Sequence, residues 1–451
     1  MKSPVSSSTV PGPEGNRFFG PIVFESRRDP LGFMTRLARD YGDVSSFRVG
    51  LERVFFINHP DYIREALVNH YGSFIKGRGG RRAKQLLGNG LLLSEGELHR
   101  RQRRLAQPAF HRQRIASYAD VMADYAARFS ARWRERETLE VSQEMLRLTL
   151  AIVGKTLFSA DVESKSDEVG QAMMAATYQF RAFKLPLSGL FERLPLPRVM
   201  RFRRGQVRLR RIIQRIIAER RQSGEDTGDL LSMLLLAEDD GAGGGAMTPL
   251  QVWDEALTLF IAGYDTMSTT LMWTWYLLSQ HKEIEERLHA EVDAALADGR
   301  AATFDDLKHL PYTERVIAES MRLYPPTWRL VRRALKDFEV GGHTVPAGSL
   351  VVMCQYVMHR DARFFPDPER FDPERFTPDA KASRPQFSYF PFGGGPRRCL
   401  GEQFALMEGV ILLASLARHW RLRLTPGHRI ELHPLHLLRS KHGMLMRLER
   451  R

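Results

Sequence analysis

Two periodicities divide this chain. Val44-Ser45-Ser46-Phe47-Arg48-Val49 and Arg53-Val54-Phe55-Phe56-Ile57 are short alternating or apolar runs, the pattern of strands in a small sheet. From about His99 to Leu323 the apolar positions recur at helical spacing. Strand signals return around Glu339–Val352, punctuated by turns at Gly341-Gly342 and Pro346-Ala347-Gly348. The expected fold class is mainly α with a minor β region.

One helix stands out. Thr248-Pro249-Leu250-Gln251 combines an N-cap threonine, proline at the first helical position and a capping-box glutamine. No breaker follows until about Leu278. Leu257, Leu259, Phe260 and Ile261 make the helix apolar all round, which predicts burial. Such a helix would be ~45 Å long. There is no internal repeat. Residues 1–19 read as a flexible Pro/Ser-rich tail, and Asp239–Ala246 as a flexible loop between helices. Nothing else splits the chain, so residues 20–451 are expected to form one domain.

Composition narrows the class. Of 451 residues, 43% are hydrophobic and 27% charged, as in ordinary globular proteins. The two cysteines, Cys354 and Cys399, make no disulfide framework, which suits a reducing cytoplasm. The N-terminal residues contain no apolar signal or membrane-spanning run, so no transmembrane anchor is expected. The net charge of +14 fits nucleic acid, an anionic membrane, an acidic protein partner or a basic surface that serves only solubility. With no zinc-finger spacing, RNA-recognition signature or heptad dimeriser, nucleic acid is not the expected partner.

The candidate chemistry centres on Phe392-Gly393-Gly394-Gly395-Pro396-Arg397-Arg398-Cys399-Leu400-Gly401. A cysteine in a glycine-rich loop, just ahead of a helix and beside arginines, is placed to ionise. Phe392, Gly395, Arg397, Cys399 and Gly401 fill the pattern Phe-x-x-Gly-x-Arg-x-Cys-x-Gly, so the segment resembles the haem-binding loop of the cytochrome P-450 family. The resemblance extends from roughly Gly20 to Leu448. It implies the family's mainly α triangular prism, a haem b group with Cys399 as thiolate ligand, and monooxygenase chemistry: dioxygen is reductively activated, and one oxygen atom enters a C–H or C=C bond. A soluble, cytoplasmic, monomeric bacterial-type member is expected. No flavin or iron–sulfur domain is present, so electrons from NAD(P)H would arrive through a ferredoxin or flavodoxin with its reductase.

Further segments acquire roles by the same resemblance. Ala262-Gly263-Tyr264-Asp265-Thr266 matches the oxygen-activating motif. There Thr266 would order dioxygen and a water, and Asp265 would feed protons from outside. Taken alone, a threonine bonded to its own i−4 carbonyl is the simpler reading. Met267 stands where the family often has a second hydroxyl. The acid–alcohol pair argues against a peroxide-driven hydroxylase or a non-catalytic haem sensor. Glu319 and Arg322 share a helix face; they form either a surface ion pair or the family's buried pair, completed by Arg375 (or Arg370) and fixing the cysteine loop. His99, Arg103, Arg332, Arg397 and Lys76 are candidates for the haem propionates. Arg101 and Arg104 would then serve an acidic electron donor. By position, Leu86 and the loop to Leu93, Phe180, Phe183, Leu185, Leu187, Leu259, Tyr264, Trp328, Leu330, Val331, Leu435 and Leu437 would line an apolar pocket for a lipid, terpenoid, steroid or aromatic substrate, with Arg329 available to a carboxylate.

Overall fold

The computed structural model describes residues 10–13, 21–77, 83–84, 87–161, 197–236, 238–239, 245–297 and 299–451. Its backbone resolves into two compact units. One comprises Met1–Arg78, Met321–Arg370 and Glu374–Cys399; the other comprises Gly79–Ser320, Phe371–Pro373 and Leu400–Arg451.

The first unit holds the main sheet. Val44–Val49 and Glu52–Ile57 form an antiparallel hairpin in which Val44 opposes Ile57, close to the expected bounds. Gly50 takes the turn at φ +62°. Leu350–Met353 adds parallel to the second strand, Leu330–Ala334 pairs antiparallel with it, and Phe74–Lys76 forms the far edge. One sheet face buries Phe55, Ile57, Phe74, Val351 and Met353 with Phe338, Phe387 and Phe390. Part of the expected flexible tail is ordered. Pro11 O accepts from Ser46 N–H at 2.8 Å, which lays residues 10–13 along the first strand. The rest of the segment 1–19 lies outside the described residues.

The second unit is built around the long helix Pro249–Gln280. Its capping box forms as expected, with Gln251 N–H donating to Thr248 Oγ1 at 3.3 Å and Thr248 N–H to Gln251 Oε1 at 2.9 Å. Its main neighbour is the helix Val141–Phe158. Gly263 makes the approach possible: a Cβ there would stand 2.9 Å from Val153 Cγ2. The apolar helix Glu402–Ala417 packs on Arg112–Arg132. A C-terminal sheet pairs Trp420–Leu424 with Leu445–Arg450 and then with Thr138–Glu140, a short strand inside the span read as helical. The ends of the expected loop also differ from a plain loop, since Glu238–Asp239 pairs with Gly245–Ala246. Residues 240–244 lie outside the described residues. Among the described residues, no helix is long and apolar enough to cross a membrane.

Two carboxylates lock a loop onto the long helix. Asp254 accepts from Asn89 N–H at 2.7 Å and Glu255 from Leu91 N–H at 2.9 Å. Only glycine fits beneath them. A Cβ at Gly88 (φ +65°) would lie 1.8 Å from Asp254 Oδ1, and one at Gly90 would lie 2.3 Å from Thr258 Oγ1. Glu255 is 0% exposed, and its Oε1 has no hydrogen-bond partner. Burial pushes its carboxyl from 4.5 up to about 7, opposed by Leu91 N–H and assisted by the Asp254 charge.

Folded Glu255 therefore holds its proton more tightly than the unfolded chain does. Its contribution to stability is complete below about pH 4.5 and is lost as pH rises through about 7, a loss of about 3 kcal/mol. Glu255→Gln cannot ionise. It should melt with the parent protein at about pH 5 and above it at about pH 8, as followed by circular dichroism. Coincident melting at both pH values would show that Glu255 does not titrate in the folded range.

Candidate active site

In the first unit the cysteine loop runs tightly. Gly393 and Gly395 adopt φ +71° and +63°, and Cys399 N–H closes the loop onto Phe392 O at 3.0 Å. The backbone is pressed against its surroundings: a Cβ at Gly395 would lie 1.9 Å from Leu67 O, and one at Gly394 would lie 2.4 Å from the Phe387 ring. The two cysteines are treated oppositely. Cys354 is 0% exposed, donates to Trp328 O at 3.3 Å, and is pushed by burial up to about 11, so it stays a thiol. Cys399 is exposed.

Cations gather on the same unit's sheet. Arg332, 7% exposed, sits directly opposite Lys76 in the antiparallel register. Like charges in opposed positions repel unless an anion lies between them. Arg397 is half-buried in the cysteine loop. An exposed thiol, a loop that only glycine can build and cations matched to carboxylates together suit a haem with its propionates.

The expected charge network is internal. Glu319 and Arg322 are both 0% exposed, so neither decorates the surface. Arg322 donates to the carbonyls of His359, Pro368 and Arg370 at 2.8, 2.7 and 3.0 Å. Glu319 accepts from Asp372 N–H at 2.9 Å. Arg375 is half-buried and donates to Asp367 O at 2.9 Å, whereas Arg370 is exposed and contributes only its carbonyl. His359, which sequence reasoning missed, extends the network. Its Nε2 accepts from Phe390 N–H at 3.0 Å, two residues before the cysteine loop begins. Burial and the Arg322 charge hold that imidazole neutral, well below its usual range.

The second unit carries the acid–alcohol pair. Thr266 Oγ1 donates to Ala262 O at 2.9 Å, and both residues lie on the one open stripe of the helix. Asp265, 2% exposed, accepts from His436 Nε2 at 2.9 Å and from Arg439. Burial pushes its carboxyl up, but Arg439 and His436 more than offset this and hold it below its usual range. His99 is 6% exposed and Arg103 half-buried, four residues apart on one face of the helix Gly96–Ala106. Gly401 precedes the helix Glu402–Ala417. A Cβ there would meet Phe110 at an ordinary 3.6 Å, so its surroundings do not demand glycine.

The substrate-facing expectations divide. Leu330, Val331 and Leu435 are partly exposed, while Leu259 and Leu437 are buried. Tyr264 is corrected to the core: it is 1% exposed, and its ring meets Phe260 edge-on at 6.0 Å. The reason is helical phase, since Tyr264 lies two residues from both Ala262 and Thr266, on the far side of the helix. Trp328 is likewise core at 1% exposed, with the Arg329 guanidinium stacked 4.3 Å over its ring. Leu86, Phe180, Phe183, Leu185 and Leu187 lie outside the described residues.

The sequence model of the cytochrome P-450 family matches residues 10–446. The cyclooctat-9-en-7-ol 5-monooxygenase of Streptomyces melanosporofaciens is 40% identical over 401 residues, covering 89% of this chain and 86% of that protein. The pentalenene oxygenase of Streptomyces avermitilis is 34% identical over 436 residues, 95% of each chain. Among solved structures, the retinoic acid bound cyanobacterial CYP120A1 aligns with a TM-score of 0.86 at 29% identity, covering 98% of this chain and 100% of that one. The fold and the cysteine-thiolate haem expected from the sequence are those of this family, whose members receive electrons from redox partners. The chain belongs to the cytochrome P-450 family and is a haem-thiolate monooxygenase.

Proposed function

We propose that Cys399 is the haem ligand and that the enzyme oxygenates a terpenoid. The carrying observation is the contrast between the cysteines, one exposed in a glycine-built loop and the other buried as a thiol. When bound, haem supplies reductive activation of dioxygen, with one oxygen atom leaving as water and the other entering the substrate. The protein's part is to hold and to supply protons. Arg332, Lys76, Arg397, His99 and Arg103 hold the propionates, and Phe392 and Gly401 bound the cysteine loop. Glu319, Arg322 and Arg375 brace the backbone. Thr266 has committed its hydroxyl hydrogen to Ala262, so its Oγ1 lone pairs are open to accept from a donor. Asp265 is the proton source behind it. The partly exposed Leu330, Val331 and Leu435 support an apolar substrate, and the relatives named for cyclooctat-9-en-7-ol and pentalenene support a terpenoid one.

The electron donor in this reading is an acidic ferredoxin or flavodoxin, served by an NAD(P)H-dependent reductase. Arg100 is paired with Glu97, and Arg101 is tied to Gly245 O at 2.6 Å. Arg104 and Arg112 are exposed and are the candidates to meet a partner. Residues 20–451 act as one monomeric, cytoplasmic haem domain, through which the chain passes repeatedly between the two compact units.

Cys399→Ser should abolish the red-shifted carbon monoxide band of the reduced protein, and Cys354→Ser should keep it; the reverse pattern would overturn the ligand assignment. Reduction by an acidic ferredoxin should slow as ionic strength rises, because exposed charges are screened beyond ~8–10 Å at physiological salt. Arg104→Glu should slow it further at low salt. A rate indifferent to both would remove Arg104 from the docking surface.

A further inference from the structure

Arg329 is held by the fold but not answered by it. It stands just ahead of the strand Leu330–Ala334, among arginines that are committed. Arg322 spends its donors on three backbone carbonyls. Arg333 donates to Glu52 at 2.8 Å and to Gly348 O at 2.6 Å. Arg329 has no hydrogen bond and no ion pair among the described residues. Its guanidinium lies 4.3 Å over the ring of Trp328. Stacking occupies the face of the guanidinium and leaves the N–H donors around its edge unspent.

The platform beneath it is fixed. Trp328 is buried, and its carbonyl accepts from Cys354 Sγ at 3.3 Å and from Tyr356 N–H at 3.2 Å. Arg329 itself is half-buried, and burial draws its pKa below the usual value. The titratable group acting on it is the Cys354 thiol, which stays neutral. A guanidinium that is desolvated and yet reachable faces a recess, and without a counter-ion its charge is costly there. The surroundings are apolar. Leu330 lies against the cysteine loop, 3.6 Å from where a Cβ on Gly393 would stand, and Val331 is partly exposed beside it. In an extended segment residues three apart fall on opposite faces, so Arg329 is turned away from Arg332, the cation set opposite Lys76. One bare guanidinium beside leucine and valine suits an amphiphile with a hydrocarbon body and a single carboxylate.

We infer that the substrate is a terpenoid carboxylate, and that Arg329 receives its acid group while Leu330 and Val331 meet the hydrocarbon. The planar guanidinium offers paired N–H donors to the two carboxylate oxygens. Arg329 is a specificity-determining residue: it sets which end of the substrate is held and takes no part in oxygen transfer. This inference deepens the terpenoid reading given above and rests on it.

Imidazolyl alkanoic acids of graded chain length, each paired with its matching alcohol, test it in the haem-loaded protein. The imidazole ligates haem iron and shifts the Soret band with either tail, so one signal reads both affinities. At the chain length that reaches Arg329, wild type should bind the acid at least ~10-fold tighter than the alcohol, as a hydrogen-bonded charge pair supplies. Arg329→Leu should bind the two alike, with haem content and the carbon monoxide band unchanged. Arg329→Lys should keep part of the preference. Should Arg329→Leu fail to fold, Arg329→Gln serves in its place. Equal binding of acid and alcohol by wild type at every length would overturn the inference. So would a preference for acids that survives in Arg329→Leu. Loss of haem from folded Arg329→Leu would overturn it too, by giving the guanidinium to a propionate. Turnover of abietic acid, abietinol and a fatty acid separates the two readings. If both diterpenoids are oxygenated and no acid preference exists, only this inference fails. If the acid preference depends on Arg329 but the fatty acid alone is oxygenated, the terpenoid reading fails and the carboxylate site stands.

Discussion

A carboxylate buried in an apolar helix must be met by donors, because desolvating an unmet ion costs several kcal/mol. The helix Pro249–Gln280 carries three such groups, and each has drawn a distant segment onto it. Asp254 and Glu255 collect the backbone N–H groups of Asn89 and Leu91. Asp265 collects His436 and Arg439. The loop at 88–91 and the hairpin at 432–440 are far apart in sequence, yet both are positioned by the same requirement. The helix is therefore a template as much as a core element, and its polar positions determine where segments distant in sequence come to rest.

Arg322 follows the same logic with the sign reversed. A guanidinium at 0% exposure spends its donors on three backbone carbonyls, which fixes the course of residues 359–370. His359 passes that constraint on to Phe390, and the glycines of the cysteine loop complete it by close backbone contact. The loop is held by backbone hydrogen bonds and steric fit. Cys399 is thus presented, exposed, on a tightly held loop, a setting that suits a metal ligand.

Local chemistry was legible in the sequence. The capping box at Thr248 and Gln251, the hairpin at 44–57, and the spacing around Cys399 all act within a few residues of themselves, so a linear reading reaches them. The misses are non-local or a matter of phase. Thr138–Glu140 becomes a strand only because Leu445–Arg450 offers it an edge. Tyr264 is expected at the substrate from its position on the long helix, and the helical repeat turns it into the core. His436 and Arg439 lie more than 170 residues from Asp265, separated from it by |i−j| of 171 and 174. His433, His436 and Arg439 interrupt a leucine-rich stretch there, a local hint that polar groups in that hairpin have partners to meet.

The edge strand Phe74–Lys76 has a consequence for the protein before it acquires its cofactor. It is only three residues long and closes the open side of the main sheet, where unpaired backbone groups invite a strand from another chain. Lys76, the last residue of that strand, puts a positive charge at that border. Two chains meeting edge to edge would set like charges against each other, and so repel. A strand this short, ending in a charge, thus works against self-association of newly made chains.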